Sequence, residues 1–324
     1  MGLFPPYIVG LKQKSYRMRL HTLFIGIAAV TLFSCQAPES ENATLAHEEL
    51  GYQVYTIREN LGDSAAIDGA LASAGEMGFT LAESFGWSPM DHMFLGISGA
   101  NWNRMLHDHG QHSVSGHYMP LELLGHEVKA IDSAGIPAML DAAEALGQHW
   151  VIIPWMMPEW VTAEGAIHVT NYVNTLGRQA KKRGMRAAYH NHDFEFQVVN
   201  EAGQSFYDLL LAHCDPRWVD FEMDLFWVAK AGQDPLRWFA QHPGRFVLWH
   251  VKDMDPQDSS LQVPVGQGQI NWTRIFAARE QAGMQYYFIE QDECQAGKAA
   301  MECLKESSEY AKASLNAPIT IPEE

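Results

Sequence analysis

Three things are scarce in this chain of 324 residues, and each scarcity narrows its function. Cysteine occurs four times. Cys214, Cys294 and Cys303 are odd in number and lack metal-site spacing, so they read as structural, with no disulfide expected. Basic charge is also thin. Lys and Arg total 22 against 39 Asp and Glu, a formal net charge of −17. Such a field repels nucleic-acid phosphates, which need Lys and Arg to neutralise them. It does not oppose a small neutral substrate or a metal cation. Long apolar runs are missing too, the longest being too short for a comfortable membrane span. No internal repeat is visible, and a lone Gly266-Gln267-Gly268 is too weak a signal for a nucleotide site.

The one notable apolar run is LHTLFIGIAAVTLFSC (20–35), preceded by Lys12, Lys14, Arg17 and Arg19. A basic region, a short apolar region and small residues before a cysteine make an export signal. Leu32-Phe33-Ser34-Cys35 resembles a bacterial lipobox, with Phe33 in place of the usual small or aliphatic residue. That resemblance implies cleavage before Cys35, lipidation of that cysteine and, with Gln36 following, sorting to the outer membrane. A signal beginning at Met18 would be of ordinary length, which makes residues 1–17 surplus. The expected organisation is a signal segment over 1–35, a polar tether over 36–48, one folded domain over 49–316 and a short tail over 317–324.

Within that domain, strand-like and helix-like segments alternate. Strands are expected at 52–57, 79–84, 112–118, 150–155, 186–192, 218–224, 246–252 and 286–291. Helices are expected at 64–77, 121–134, 138–147, 167–183, 204–213, 233–241, 272–283 and 297–313. Gly135, Gly184 and Gly283 follow three of them, as helix C-termini favour. Eight alternating units argue for a parallel sheet covered on both faces. Closure of eight units into one domain gives an α/β fold, a single (β/α)8 TIM barrel, whose active site gathers at the C-terminal strand ends.

Four of those strand ends carry the chemistry: AYHNHDFEF (188–196), VDFEMDLFW (219–227), LWHVKDMD (248–255) and YYFIEQDE (286–293). Side chains two apart share a strand face. His190 and His192 therefore align, as do Asp220, Glu222 and Asp224, then His250 and Lys252, then Glu290 and Asp292. Buried charges are costly unless paired or bound to metal, and converging carboxylates and imidazoles suit a divalent cation. The expected ligands are His190, Asp224, His250 and Glu290, with His192 able to replace His190 or to bind substrate. Glu222 and Asp220 are expected to support them or pair inside the barrel. One divalent metal is expected, Mn²⁺ first, with Mg²⁺, Co²⁺ or Zn²⁺ also suited. His117, Trp155 and Glu83, at the ends of strands three, four and two, are candidate substrate contacts. His107, His109 and His112 do not share a strand end and suggest no separate site.

The segments YHNHDFEF, FEMDLFW, WHVKDMD, VGQGQINW and FIEQD resemble the sugar phosphate isomerase/epimerase family. That family lies within the xylose isomerase-like barrels, which also include ketose 3-epimerases, inosose dehydratases and endonuclease IV. The likeness extends over about residues 50–315. It implies metal-dependent chemistry on a small carbohydrate, and often a homo-oligomer. In the ketose epimerases the ligands are Glu, Asp, His and Glu, and the matching positions here are His190, Asp224, His250 and Glu290. His190 replaces a glutamate that also exchanges protons in those enzymes, so a symmetric two-glutamate exchange is in doubt. Glu290 is the expected general base. Glu195 or His192 is the expected second proton carrier, and Lys252 a candidate for stabilising an oxyanion or for a salt bridge to Asp253 or Glu222.

Removal of a proton α to a carbonyl gives an enediolate. From it, isomerisation, epimerisation or elimination from a 3-keto-glycoside can all follow. A surface sugar-binding lipoprotein without turnover is the non-enzymatic alternative. An endonuclease IV-like activity is disfavoured by the acidic charge and the export signal.

Overall fold

The computed structural model describes residues 49–295 and 297–316. The expected signal segment, tether and tail lie outside the described residues. Eight parallel strands are β1 (Gly51–Gln53), β2 (Leu81–Glu83), β3 (Ser115–His117), β4 (Trp150–Ile153), β5 (Arg186–His190), β6 (Val219–Asp224), β7 (Leu248–Val251) and β10 (Tyr286–Ile289). A short antiparallel pair, β8 (Asp253–Met254) and β9 (Gln262–Val263), rises from the end of β7. The order β2-β1-β10-β7-β6-β5-β4-β3 places β2 and β3 at the two ends of the sheet. Bridges at Leu81–His112 and Ser84–Gly116 span that seam, so the barrel is nearly closed.

The strands build two distinct apolar layers. Side chains alternate along each strand, so one set faces helices and the other faces the lumen. The lumen floor is a small cluster including Leu81, Trp150, Ile152, Ala188, Leu248 and Phe288. The larger core lies between strands and helices, with Phe221, Met223, Trp249 and Ile289 among its members. Asp220, on the lumen face of β6, is held low in the barrel by Arg186 and by Trp150 Nε1 at 2.9 Å.

The helices are α1 (Ser64–Glu76), α2 (Gly99–Asp108), α3 (Ile136–Ala145), α4 (Ala163–Lys181), α5 (Phe206–His213), α6 (Leu225–Lys230), α7 (Pro235–Gln241), α8 (Trp272–Ala277), α9 (Arg279–Ala282) and α10 (Ala300–Tyr310). Local chemistry explains their starts. Asp63 and Thr162 side chains accept the backbone N–H of Ala66 and Gly165, and Ser205 and Asp208 cap each other's backbone at α5.

Three expectations need correction. The helix expected over 121–134 is only a 3₁₀ turn at Leu121–Leu124, because Gly125 then takes extended backbone at φ −89°, ψ 153°. Helices α2 and α6 form where no helical period was recognised. The sulfurs of Cys294 and Cys303 form a disulfide, since the turn into α10 brings their Cα atoms to 6.2 Å. Cys214 alone remains a free, buried thiol among the described residues.

Candidate active site

The polar groups of the lumen meet above its apolar floor. Parallel register sets His190 beside Glu222, Asp224 beside His250, and His250 beside Phe288. Because β5, β6, β7 and β10 are neighbours, their strand-end groups share one volume.

Two clusters of possible metal donors result, joined at His250. The first is His117, His190, Glu222 and His250. Glu222 Oε2 lies 2.9 Å from His117 Nε2, 2.9 Å from His190 Nδ1 and 3.2 Å from His250 Nε2. The second is Asp224, His250 and Glu290, where His250 Nδ1 is 2.5 Å from Glu290 Oε2. Thus the four expected ligands are all present, but the structure divides them between two clusters and adds His117 and Glu222.

Lys252 sits against the second cluster. Its Nζ is 2.7 Å from Glu290 Oε2, 2.9 Å from Asp224 Oδ2 and 3.0 Å from Asp292 Oδ2. The approach to Asp224 is an ion pair off hydrogen-bonding geometry, so Asp224 Oδ2 has no hydrogen-bond donor among the described residues. The salt bridge considered for Lys252 with Asp253 or Glu222 therefore goes elsewhere. Asp253 instead accepts the backbone N–H of Gly266 and Gly268 and Trp272 Nε1.

Burial and charge set the ionisation. Burial alone would raise Glu290, but Lys252 and His250 overcome it and hold its carboxyl well below the usual range. Burial likewise opposes ionisation of Glu222, and His250, His117 and His190 bring it down to about 2. For Asp224 burial wins over Lys252, and its carboxyl rises to about 6. Burial pulls His117 down while Glu83 and Glu222 pull it up, to a net of about 9. Burial drives His190 well below its ordinary value. His192 is pushed down to about 3, by burial first and then by Lys252.

The donor chemistry fits a divalent cation. Five carboxylates (Glu83, Glu222, Asp224, Glu290 and Asp292) surround one ammonium and three imidazoles. Glu222 Oε1 and Asp224 Oδ2 are buried without hydrogen-bond partners among the described residues. A buried carboxylate oxygen in that state needs a cation or a proton. Metal binding would displace the protons that His117 and His250 otherwise carry.

Above the clusters opens a cavity of about 1130 Å³. His117, His190, His192, Lys252 and Glu290 line its base, and Tyr55, Trp87, Trp155 and Trp227 form aromatic walls. The expected contacts His117 and Trp155 thus face the cavity. Glu83 does not line it. Glu83 lies fully buried, where Gln53 and Ser115 donate to it and its Oε1 reaches His250 Nε2 at 2.7 Å and His117 Nε2 at 3.0 Å. Glu195 also fails to reach the cavity. It is fully buried behind β5, accepting from Tyr189 Oη and His192 N–H at 2.8 Å each. A second proton carrier there is not supported by its position, whereas His192 lines the cavity, its buried Nδ1 without a hydrogen-bond partner among the described residues.

The sequence names Glu222 as a supporting or paired group but not as a possible metal donor, and it does not reveal the walls of Tyr55, Trp87 and Trp227. Glu222's alternation with Asp224 was the available signal. Trp87 lies in a loop, Tyr55 in a 3₁₀ turn and Trp227 in the short helix α6, segments too brief for a period to reveal their direction.

The family model described as "Xylose isomerase-like TIM barrel" matches residues 71–312. A sugar phosphate isomerase/epimerase from Parabacteroides distasonis is 26% identical, with TM-score 0.71, covering 86% of this chain and 99% of that one. A probable 3-DHS dehydratase from Bacillus anthracis shares the fold at 12% identity and TM-score 0.59, covering 82% and 98%. So does the IolI protein with a bound zinc atom, at 15% identity and TM-score 0.60, covering 83% and 99%. No curated protein matches the chain in sequence. With eight parallel strands, polar groups gathered at their C-terminal ends and a family match over most of its length, the chain belongs to the xylose isomerase-like TIM barrel family.

Proposed function

We propose that this protein is a metal-dependent isomerase or epimerase of a sugar or keto-sugar, working through an enediolate. The observation that carries the reading is the joined His/carboxylate cluster at the floor of an aromatic-walled cavity. A bound divalent cation supplies Lewis acidity at a carbonyl oxygen. Glu290, held as a carboxylate beside Lys252, is the base that takes the proton α to that carbonyl. Lys252 holds positive charge beside the cavity, where an oxyanion would develop. His192 lines the same space and is the second proton carrier in this reading. Trp155 and Trp227 offer flat apolar faces to the sugar ring.

A lyase is the second reading. The same enediolate eliminates a group β to the carbonyl, as in a 3-keto-glycoside. Export through the segment at 20–35 favours unphosphorylated glycosides of this kind over sugar phosphates. The Cys294–Cys303 disulfide suits an oxidising compartment and supports that location. Lipid attachment at Cys35 would place the barrel in the periplasm, most simply at the outer membrane. Labelling with a radioactive fatty acid, lost in Cys35→Ala, tests the anchor.

The reaction is tested by incubating the protein with ketoses and 3-keto-glycosides in D₂O and following carbon-bound deuterium by NMR. Metal-dependent exchange, reduced about 10²–10⁴-fold by Glu290→Gln, is the expected result. Release of the aglycone selects the lyase. Turnover confined to sugar phosphates overturns the substrate class, and binding with neither exchange nor release overturns the enzyme.

A further inference from the structure

We infer that the metal is held by His117, His190, His250 and Glu222, and that Lys252 is the permanent cation of the adjoining Asp224–Glu290–Asp292 group. The inference deepens the proposed function and rests on it only for the presence of a metal. It replaces Asp224 and Glu290 of the set expected from sequence, His190, Asp224, His250 and Glu290, with His117 and Glu222.

Geometry argues for this division. Three imidazole nitrogens from β3, β5 and β7 point at one carboxylate oxygen of β6, all within 3.2 Å. The three rings are 4.6–5.3 Å apart, centre to centre. Three imidazoles and a carboxylate converging on one point form a donor set that a divalent cation can share. The other oxygen, Glu222 Oε1, is buried without a hydrogen-bond partner among the described residues, so that carboxylate has capacity for a cation.

The second cluster already has its charge. Lys252 Nζ lies within 3.0 Å of its two carboxylates, Asp224 and Glu290, and of the neighbouring Asp292. A divalent ion bound among them would meet an ammonium that cannot move far, because Lys252 is buried. Each of these carboxylates has another use. Glu290 meets His250 at Nδ1, which places the proton there and turns Nε2 toward Glu222 and toward the buried Glu83, at 2.7 Å beneath the donors. Asp224 is oriented by capping α6, with Oδ1 accepting Trp227 N–H at 3.0 Å and Oδ2 3.7 Å from His190 Nε2. Asp292 also accepts from Gln262 at 2.6 Å, tying the loop after β10 to β9. Asp224 and Glu290 are therefore positioning residues for the ligand histidines, and Glu290 remains free to act as base.

The two arrangements differ in nitrogen count, which can be read without activity. One equivalent of Cu²⁺ is added to the full metal-depleted protein, and the nitrogen hyperfine pattern is recorded by electron paramagnetic resonance. The expected result is three coordinated nitrogens, falling to two in His117→Asn. One nitrogen, as the Asp224–His250–Glu290 group would give, overturns the inference. Two nitrogens in the unaltered protein, as the sequence-derived set would give, overturns it as well. Zn²⁺ affinity by competition supplies the second measurement. Glu290→Gln and Asp224→Asn should weaken it by about 10–100-fold while keeping stoichiometric binding at high metal. Lys252→Met should retain all three nitrogens. Complete loss of metal in Asp224→Asn with full retention in His117→Asn overturns the assignment. Three nitrogens without proton exchange on any sugar leave it standing and remove the reaction. Exchange with a one-nitrogen site does the reverse.

Discussion

At the scale of single residues, the site shows how burial converts ordinary side chains into specialised ones. Glu290 and Glu195 are both buried glutamates, yet they differ in place and in role: one meets an ammonium, the other a phenol. Lys252 and His250 keep Glu290 ionised, whereas burial raises Glu195 to about 8. Tyr189 and the His192 N–H only partly offset that rise. The sign of the consequence follows. Between the ordinary value of 4.5 and about 8, the folded chain holds a proton on Glu195 that the unfolded chain has released. Stability from this group is complete below pH 4.5 and declines as pH climbs through that window. Glu195→Gln should flatten the decline, which urea unfolding at pH 5, 6.5 and 8 measures. A slope unchanged from that of the unaltered protein would contradict the assignment. The same substitution should leave metal binding intact, since Glu195 touches none of the clustered donors.

At the scale of elements, two short segments hold the mouth of the barrel. The loop after β9 wraps around the buried Asp253, which accepts from the N–H groups of Gly266, Gly268, Ile270 and Met254 and from Trp272 Nε1. Gly268 is required because a Cβ there would lie 2.1 Å from Asp253 Oδ1, and Gly266 because φ is +91°. Asp253→Ala would strand several buried donors at about 1–3 kcal/mol each. Hydrogen exchange across 264–272 should speed up by more than tenfold, and unchanged protection would sink the idea. The loop after β10 carries Glu293 and Cys294 along the cavity wall, and the disulfide to Cys303 in α10 ties it down. A bridge closing so short a loop contributes about 2–3 kcal/mol. Cys303→Ser should lower the melting temperature by several degrees, and dithiothreitol should reproduce the drop only in the unaltered chain. Both segments were partly visible in sequence: VGQGQINW announced a loop by its glycines, but three cysteines gave no way to choose a pair. Helix α6 was hidden for a different reason, as its start at Asp224 doubles as a strand end.

At the scale of the whole molecule, the barrel gathers side chains from strands far apart in the chain. His250 and Glu83 are 167 residues apart in sequence and 2.7 Å apart in space. A cation bound by several strands at once ties the ring together, and any ligand of the folded state alone adds stability by mass action. Zinc at a hundredfold excess over its Kd adds about 2.7 kcal/mol, or roughly 5–10 °C in a domain of this size. Calorimetry with and without chelator checks this, and equal melting temperatures would argue against a resident metal. The sequence alone determined the alternation of strands and helices and the strand ends that carry polar groups. Those follow from local periods of two and 3.6 residues and from position along the chain. It also placed His190, Asp224, His250 and Glu290 within one neighbourhood, because consecutive strands of a parallel barrel are neighbours. Only the tertiary structure decided which imidazole nitrogen meets which carboxylate, that Glu195 turns away, that Glu83 lies beneath the site, and that Cys294 pairs with Cys303. Those outcomes depend on rotamers, register and closure around the ring, where a shift of one bond length changes the partner and leaves the sequence pattern unchanged.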